Sequence, residues 1–149
     1  VNARTLVELR SVAESAMAAG DGEPYDPQSQ LRALGRAYLH FAAEASGRWR
    51  LLFNPRANDA PLPGWYLKDV QALFALVEDR LVPLGPRANQ HDRRVGARAL
   101  WSGVHGIAIL GLTEVIDVGG GPSDFEQIAD SLISHYLVGF QAHFGDKHA

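Results

Sequence analysis

Apolar side chains recur every three or four residues through most of the chain, in blocks separated by short clusters of glycine, proline and polar residues. No stretch of strict alternation is long enough to compete, so the pattern predicts an all-α chain. The first block, about residues 3 to 19, sets Leu6, Leu9, Ala13, Ala16 and Met17 on one side and stops at GDGEPYDP. Asp26 is placed to cap a second helix, with Pro27 at the first helical position, where an N–H is not needed. Leu31, Leu34, Tyr38, Phe41, Ala42 and Ala45 follow at helical spacing, and Gly47 marks the end. A short apolar stretch, RWRLLFN, then leads into PRANDAPLPG at 55 to 64, a polar, proline-rich loop predicted to be the most flexible segment. The next helix, about 65 to 82, buries Tyr66, Val70, Leu73, Phe74, Val77 and Leu81 before PLGPRAN breaks it. Two more are predicted over roughly 90 to 114 and 123 to 144, and Ser123 followed three residues later by Glu126 has the capping-box pattern. Connections this short favour antiparallel neighbours, so the expected fold is one antiparallel bundle of about five or six helices.

The segment ALWSGVHGIAILGL, residues 99 to 112, departs from an ordinary helix by holding three glycines. Each costs roughly 1 kcal/mol relative to alanine in a helix interior. Gly96, Ala99, Gly103 and Gly106 follow spacings of three, four and three and share one narrow stripe. A face without bulk admits another backbone, from the same chain or across a subunit boundary, and the spacing leaves both open. Trp101 and His105 lie about 180° away, flanked by Ala97, Ala108 and Leu112, and point toward the domain interior. A buried indole or imidazole left unpaired costs about 1 to 3 kcal/mol. His105 is therefore a hydrogen-bonded core residue, a polar fixture in a pocket wall, or both.

The last predicted helix carries Phe125, Ile128, Ala129, Leu132, Ile133, Tyr136, Leu137, Phe140 and Phe144 over nearly half its circumference. That exceeds the roughly 100° stripe with which a helix covers one core. Beside a small-residue seam it predicts a homodimer in which the last two helices of each subunit form a four-helix interface about a two-fold axis. The candidate interface residues are Gly96, Ala99, Gly103, Gly106, Leu132, Ile133, Tyr136 and Phe140.

Composition narrows the possible functions. With 149 residues, 46% hydrophobic and 21% charged, the whole of 1–149 suits one domain with a core that needs no staples. The absence of cysteine excludes thiolate nucleophiles and cysteine-ligated zinc. A net charge of -3 gives no excess of basic residues with which to track phosphates. No apolar run approaches the ~20 residues of a membrane span, so a soluble chain is expected, with the cytoplasm as default. It begins at Val1, so its start need not be that of the gene product. The six histidines form no HExxH and no Glu-x-x-His pair, and GxSxG, P-loop and dinucleotide motifs are absent, so neither enzyme, metal nor cofactor is expected. Two alternatives stand beside a binding module: a helical-bundle enzyme, which stoichiometric iron or zinc would revive, and a structural dimerisation module with a filled core.

Trp101-x-x-x-His105-Gly106 resembles the Trp-His-Gly signature of one class of C-terminal domains of TetR-type transcriptional regulators. LRALGRAYLHFAAEASGRWRLLFNP at 31 to 55 and FEQIADSLISHYLVGF at 125 to 140 are similar to helices of the same domains. Such proteins join an N-terminal helix-turn-helix domain, which binds operator DNA, to a helical C-terminal domain that dimerises and binds a small inducer. Residues 1 to 19 resemble the connecting helix, which implies that the chain is the sensor and dimerisation half and meets DNA only through a preceding domain. The resemblance implies a repressor released from DNA by a small apolar or aromatic effector, with the pocket among the earlier helices and the inner side of the Trp101 helix. Trp101 and His105 are carried over as pocket or core residues, and pattern adds Tyr38, Phe41, Trp49, Phe53, Trp65 and Phe74 as candidate lining.

Overall fold

Five α-helices and no strand run through the residues that the structure, a computed structural model, describes: 3–18, 26–44, 64–112 and 125–146. They are α1 (Ala3–Ala18), α2 (Pro27–Glu44), α3 (Gly64–Leu84), α4 (Gln90–Leu112) and α5 (Phe125–Phe144). The all-helical fold expected from the apolar periodicity is the one observed. The apolar stretch at 48 to 54, most of the proline-rich loop, Gly47 and Ser123 lie outside the described residues.

Local chemistry sets the helix ends. Asp26 Oδ1 accepts the N–H of Gln28 at 3.2 Å and Oδ2 accepts the Ser29 hydroxyl at 2.6 Å, so the expected cap of α2 is formed. Those bonds, the Ser29 bond first, hold the Asp26 carboxyl below the usual carboxylate range. At α4 the cap is one the pattern did not announce. Asn89 Oδ1 accepts the Asp92 N–H at 2.8 Å while Asp92 Oδ2 accepts the Asn89 N–H at 2.9 Å, a reciprocal pairing built from Asn and Asp instead of Ser or Thr with Glu. α3 runs beyond the expected stop and carries Pro83 in its last turn, where the missing N–H forfeits a single bond; the Gly85 N–H then closes on Leu81 O at 3.0 Å.

α2 touches each of the other four helices, whereas α1 leans only on α2 and α3. Leu6 of α1, Leu81 of α3 and Leu137 of α5 are fully buried. α4 and α5 run antiparallel, because Gly96 faces Tyr136 and Phe140, Gly103 faces Leu132, and Gly111 faces Phe125. α2 and α5 are tied by polar pairs on their shared rim: Arg36 Nη1 lies 3.2 Å from Asp130 Oδ2, and His40 Nε2 lies 2.6 Å from Glu126 Oε1. The turn from α3 to α4 clamps the end of α5, since the Arg87 N–H donates to Phe144 O at 2.9 Å and its guanidinium to His143 O at 3.2 Å. Gly85 makes that approach possible: a Cβ there would stand 2.5 Å from Phe140 Cε1 and 2.8 Å from Phe144 Cβ. No described helix is long and apolar enough to cross a membrane.

Candidate functional site: an apolar cavity beside Trp101

The apolar stripe of α3 is only half used by the core. Leu81 and Leu84 are buried, but Tyr66, Val70, Leu73, Phe74 and Val77, on the same stripe, remain partly accessible. They face a half-open cavity of about 180 Å³ lined by all five helices. Leu9, Val12 and Ala13 of α1 close one side; Leu31, Leu34, Gly35, Ala37 and Tyr38 of α2 another. Leu100, Trp101 and Val104 of α4 and Ile133 of α5 complete the wall. Among the described residues that line it none is charged. Gly35 lets α5 come close, because a Cβ there would lie 2.6 Å from Ile133 Cδ1.

One corner carries linked aromatic and polar groups. The Trp101 ring stacks on His105 at 4.8 Å between centroids and 26° between planes, as two residues one helical turn apart can. Phe74 meets the indole edge-on at 5.9 Å, and the Arg98 guanidinium lies 4.3 Å from the centre of the Phe74 ring. Tyr38 Oη is 2.7 Å from His105 Nδ1. Burial pushes the His105 pKa below its ordinary value of 6.5 and favours the neutral ring, whose Nδ1 shares one hydrogen bond with the Tyr38 hydroxyl. Burial also raises the Tyr66 hydroxyl, keeping it protonated. His105 and Tyr66 thus add polarity without charge, and the one cation of the corner, Arg98, is not among the lining residues.

The candidates drawn from sequence divide accordingly. Tyr38, Phe74 and Trp101 line the cavity, and His105 stands behind Tyr38 and Trp101 as their shared partner. Phe41 is buried in the core and outside the wall. Trp65 is 38% exposed and sits edge-on to Tyr66, while Trp49 and Phe53 lie outside the described residues. The aliphatic lining and Tyr66 were not singled out as binding residues, because an aliphatic stripe facing a void has the same spacing as one facing a core. The observed signal is their partial accessibility despite apolar character.

The glycine stripe divides too. The missing Cβ of Gly96 is replaced by Leu81, Tyr136 and Phe140 atoms at 3.1 to 3.3 Å, and that of Gly103 by Leu132. Ile133 and Phe140, drawn from sequence into a subunit contact, are 3% and 5% exposed and packed inside the protomer, while Leu132 and Tyr136 are half-buried. Ala99 is exposed, and the space over Gly106 holds no atom of a described residue within 4 Å. The reason is angular: Gly96 and Gly103 are turned toward α5, and Ala99 and Gly106 lie about 60° further round the helix. An outer face remains, made by Val95, Ala99, Ser102, Gly106 and Ile109 on α4 with Ser131, His135, Val138 and Gly139 on α5, and the space over Gly139 is likewise open.

Among the described residues no group of three His, Asp or Glu side chains could hold a metal ion. The arrangement offers a concave apolar wall, aromatic faces and neutral hydrogen-bonding groups, which are means of recognition. A family model for the tetracyclin repressor-like C-terminal domain matches residues 31–136. That span holds every cavity-lining residue named above except those of α1. No curated protein matches the chain.

Proposed function

The chain belongs to the tetracyclin repressor-like C-terminal domain family, and on that footing we propose that it is the effector-sensing and dimerisation half of a transcriptional repressor. The observation that supports this best is the cavity bounded by Tyr38, Phe74 and Trp101, since a module serving only to dimerise has no use for a void among five helices. Operator binding is assigned to a helix-turn-helix domain preceding Val1 in the full-length protein, and the effector is a small apolar or aromatic molecule.

The proposed coupling runs along α4. The Trp101 side of α4 lines the cavity, and its opposite side supplies Val95, Ala99, Ser102, Gly106 and Ile109 to the outer face. That face and its neighbour on α5 form the proposed homodimer contact, where Gly106 and Gly139 allow close approach. Arg98 lies beside the outer face while stacking on Phe74 of the cavity wall, so a ligand that displaces Phe74 or Trp101 pulls on the interface edge. Release from DNA then requires unequal affinity for two arrangements of the dimer, worth about 1 to 3 kcal/mol. A thermal-shift screen of neutral hydrophobic metabolites and drugs, followed by operator release from the full-length protein, tests the reading. Binders that also release the operator support it; the absence of any binder across a broad panel removes it.

A further inference from the structure

We infer that the effector is an electrically neutral molecule built on a single aromatic ring with small substituents. The inference rests on the sensor reading above and deepens it. Size comes first. The cavity measures about 180 Å³, and an engineered apolar protein cavity of about 150 Å³ takes up benzene. One ring with a small substituent fills that space, and because the cavity is half open a second ring lies outside it and gains little from the wall.

Charge comes second. No described lining residue is charged, and burial favours the neutral forms of the neighbouring Tyr66 and His105, while the Arg98 guanidinium lies against Phe74 without itself lining the cavity. An ion entering such a wall gives up part of its hydration and finds no opposite charge among the described lining residues, a penalty larger than dispersion from one ring returns. Shape comes third. Trp101 and Phe74 meet edge to face, so a flat ring beside them extends an arrangement aromatic groups prefer.

Benzyl alcohol, benzoate and benzylammonium share one ring and nearly one size and differ in charge, and 4-biphenylmethanol adds a second ring to the first. Isothermal titration of the chain with each is expected to show saturable binding of benzyl alcohol at one per protomer. Binding of both ions should be at least tenfold weaker, and 4-biphenylmethanol should bind no more tightly than benzyl alcohol. Benzoate or benzylammonium binding as tightly as the alcohol, or 4-biphenylmethanol binding more tightly, would overturn the inference while leaving the sensor reading intact. If none of the four binds but the broader screen finds another effector, the inference alone falls; if nothing binds in either, both fall. Val70→Phe and Leu73→Phe each fill the cavity from α3, and either variant that keeps its helical content is expected to lose benzyl alcohol binding. Unchanged affinity in a folded variant would place the alcohol elsewhere and overturn the assignment.

Discussion

His105 is held neutral by its surroundings, and that has a measurable consequence. Its pKa is lowered in the folded protein while the unfolded chain keeps a value of about 6.5. Above the unfolded value both states are neutral and the stability is fully present. As pH falls below it the unfolded chain takes up a proton that the native ring resists, so stability declines until the native pKa is passed. Thermal unfolding of the parent protein from pH 7.5 down to 5 should therefore lose more stability than that of His105→Gln, which cannot titrate; equal slopes would show that the imidazole is not desolvated. The Tyr38 hydroxyl bonded to the same ring is worth a second test. Tyr38→Phe leaves Nδ1 without its 2.7 Å partner and should cost about 1 to 3 kcal/mol in denaturant unfolding. The spacing of Trp101 and His105 made this corner legible, because one helical turn stacks two rings on the inward side. Phe41 and Trp65 were not separable from Tyr38 and Phe74 in the same way: all are aromatic at helical spacing, and only packing decides which of them meets the void.

At the scale of the helices, glycine has three different uses that one stripe cannot distinguish. Gly85 admits Phe140 and Phe144, Gly103 admits Leu132, and Gly106 admits no described residue of its own chain. Gly85→Ala should destabilise the protein by about 1 to 3 kcal/mol in denaturant unfolding, because a Cβ and a ring of α5 must move. Gly106→Leu should leave the protomer folded, with its unchanged helical signal read by circular dichroism, and shift sedimentation from dimer to monomer. A Gly106→Leu protein that remains as dimeric as the parent would show that the outer face is not the contact. Element order and type were legible because every helix carries a sustained apolar period. The cap at Asn89 and Asp92 was not, since its chemistry differs from the Ser-x-x-Glu pattern that marks a helix start at Ser123, a residue outside those described.

In the whole molecule, one apolar stripe on α3 passes from a filled core at Leu81 to an unfilled space at Leu73. Leu81→Ala removes a fully buried side chain and should cost about 2 to 5 kcal/mol, whereas Leu73→Ala, whose side chain already borders a void, should cost clearly less in the same unfolding assay. The family was legible from Trp101, His105 and the order of helices, and the match over 31–136 agrees with it. The cavity was not, because hydrophobic spacing reports which way a residue faces and not how fully the space before it is occupied. The central claim is that this space receives a ligand against Trp101. Its most direct measurement is fluorescence of a protein in which Trp49 and Trp65 are replaced by Phe, leaving Trp101 as the only one of the three tryptophans. Titration with benzyl alcohol is predicted to give a saturable emission change with one-to-one stoichiometry that Val70→Phe abolishes; emission that stays constant while titration calorimetry records binding would contradict the account.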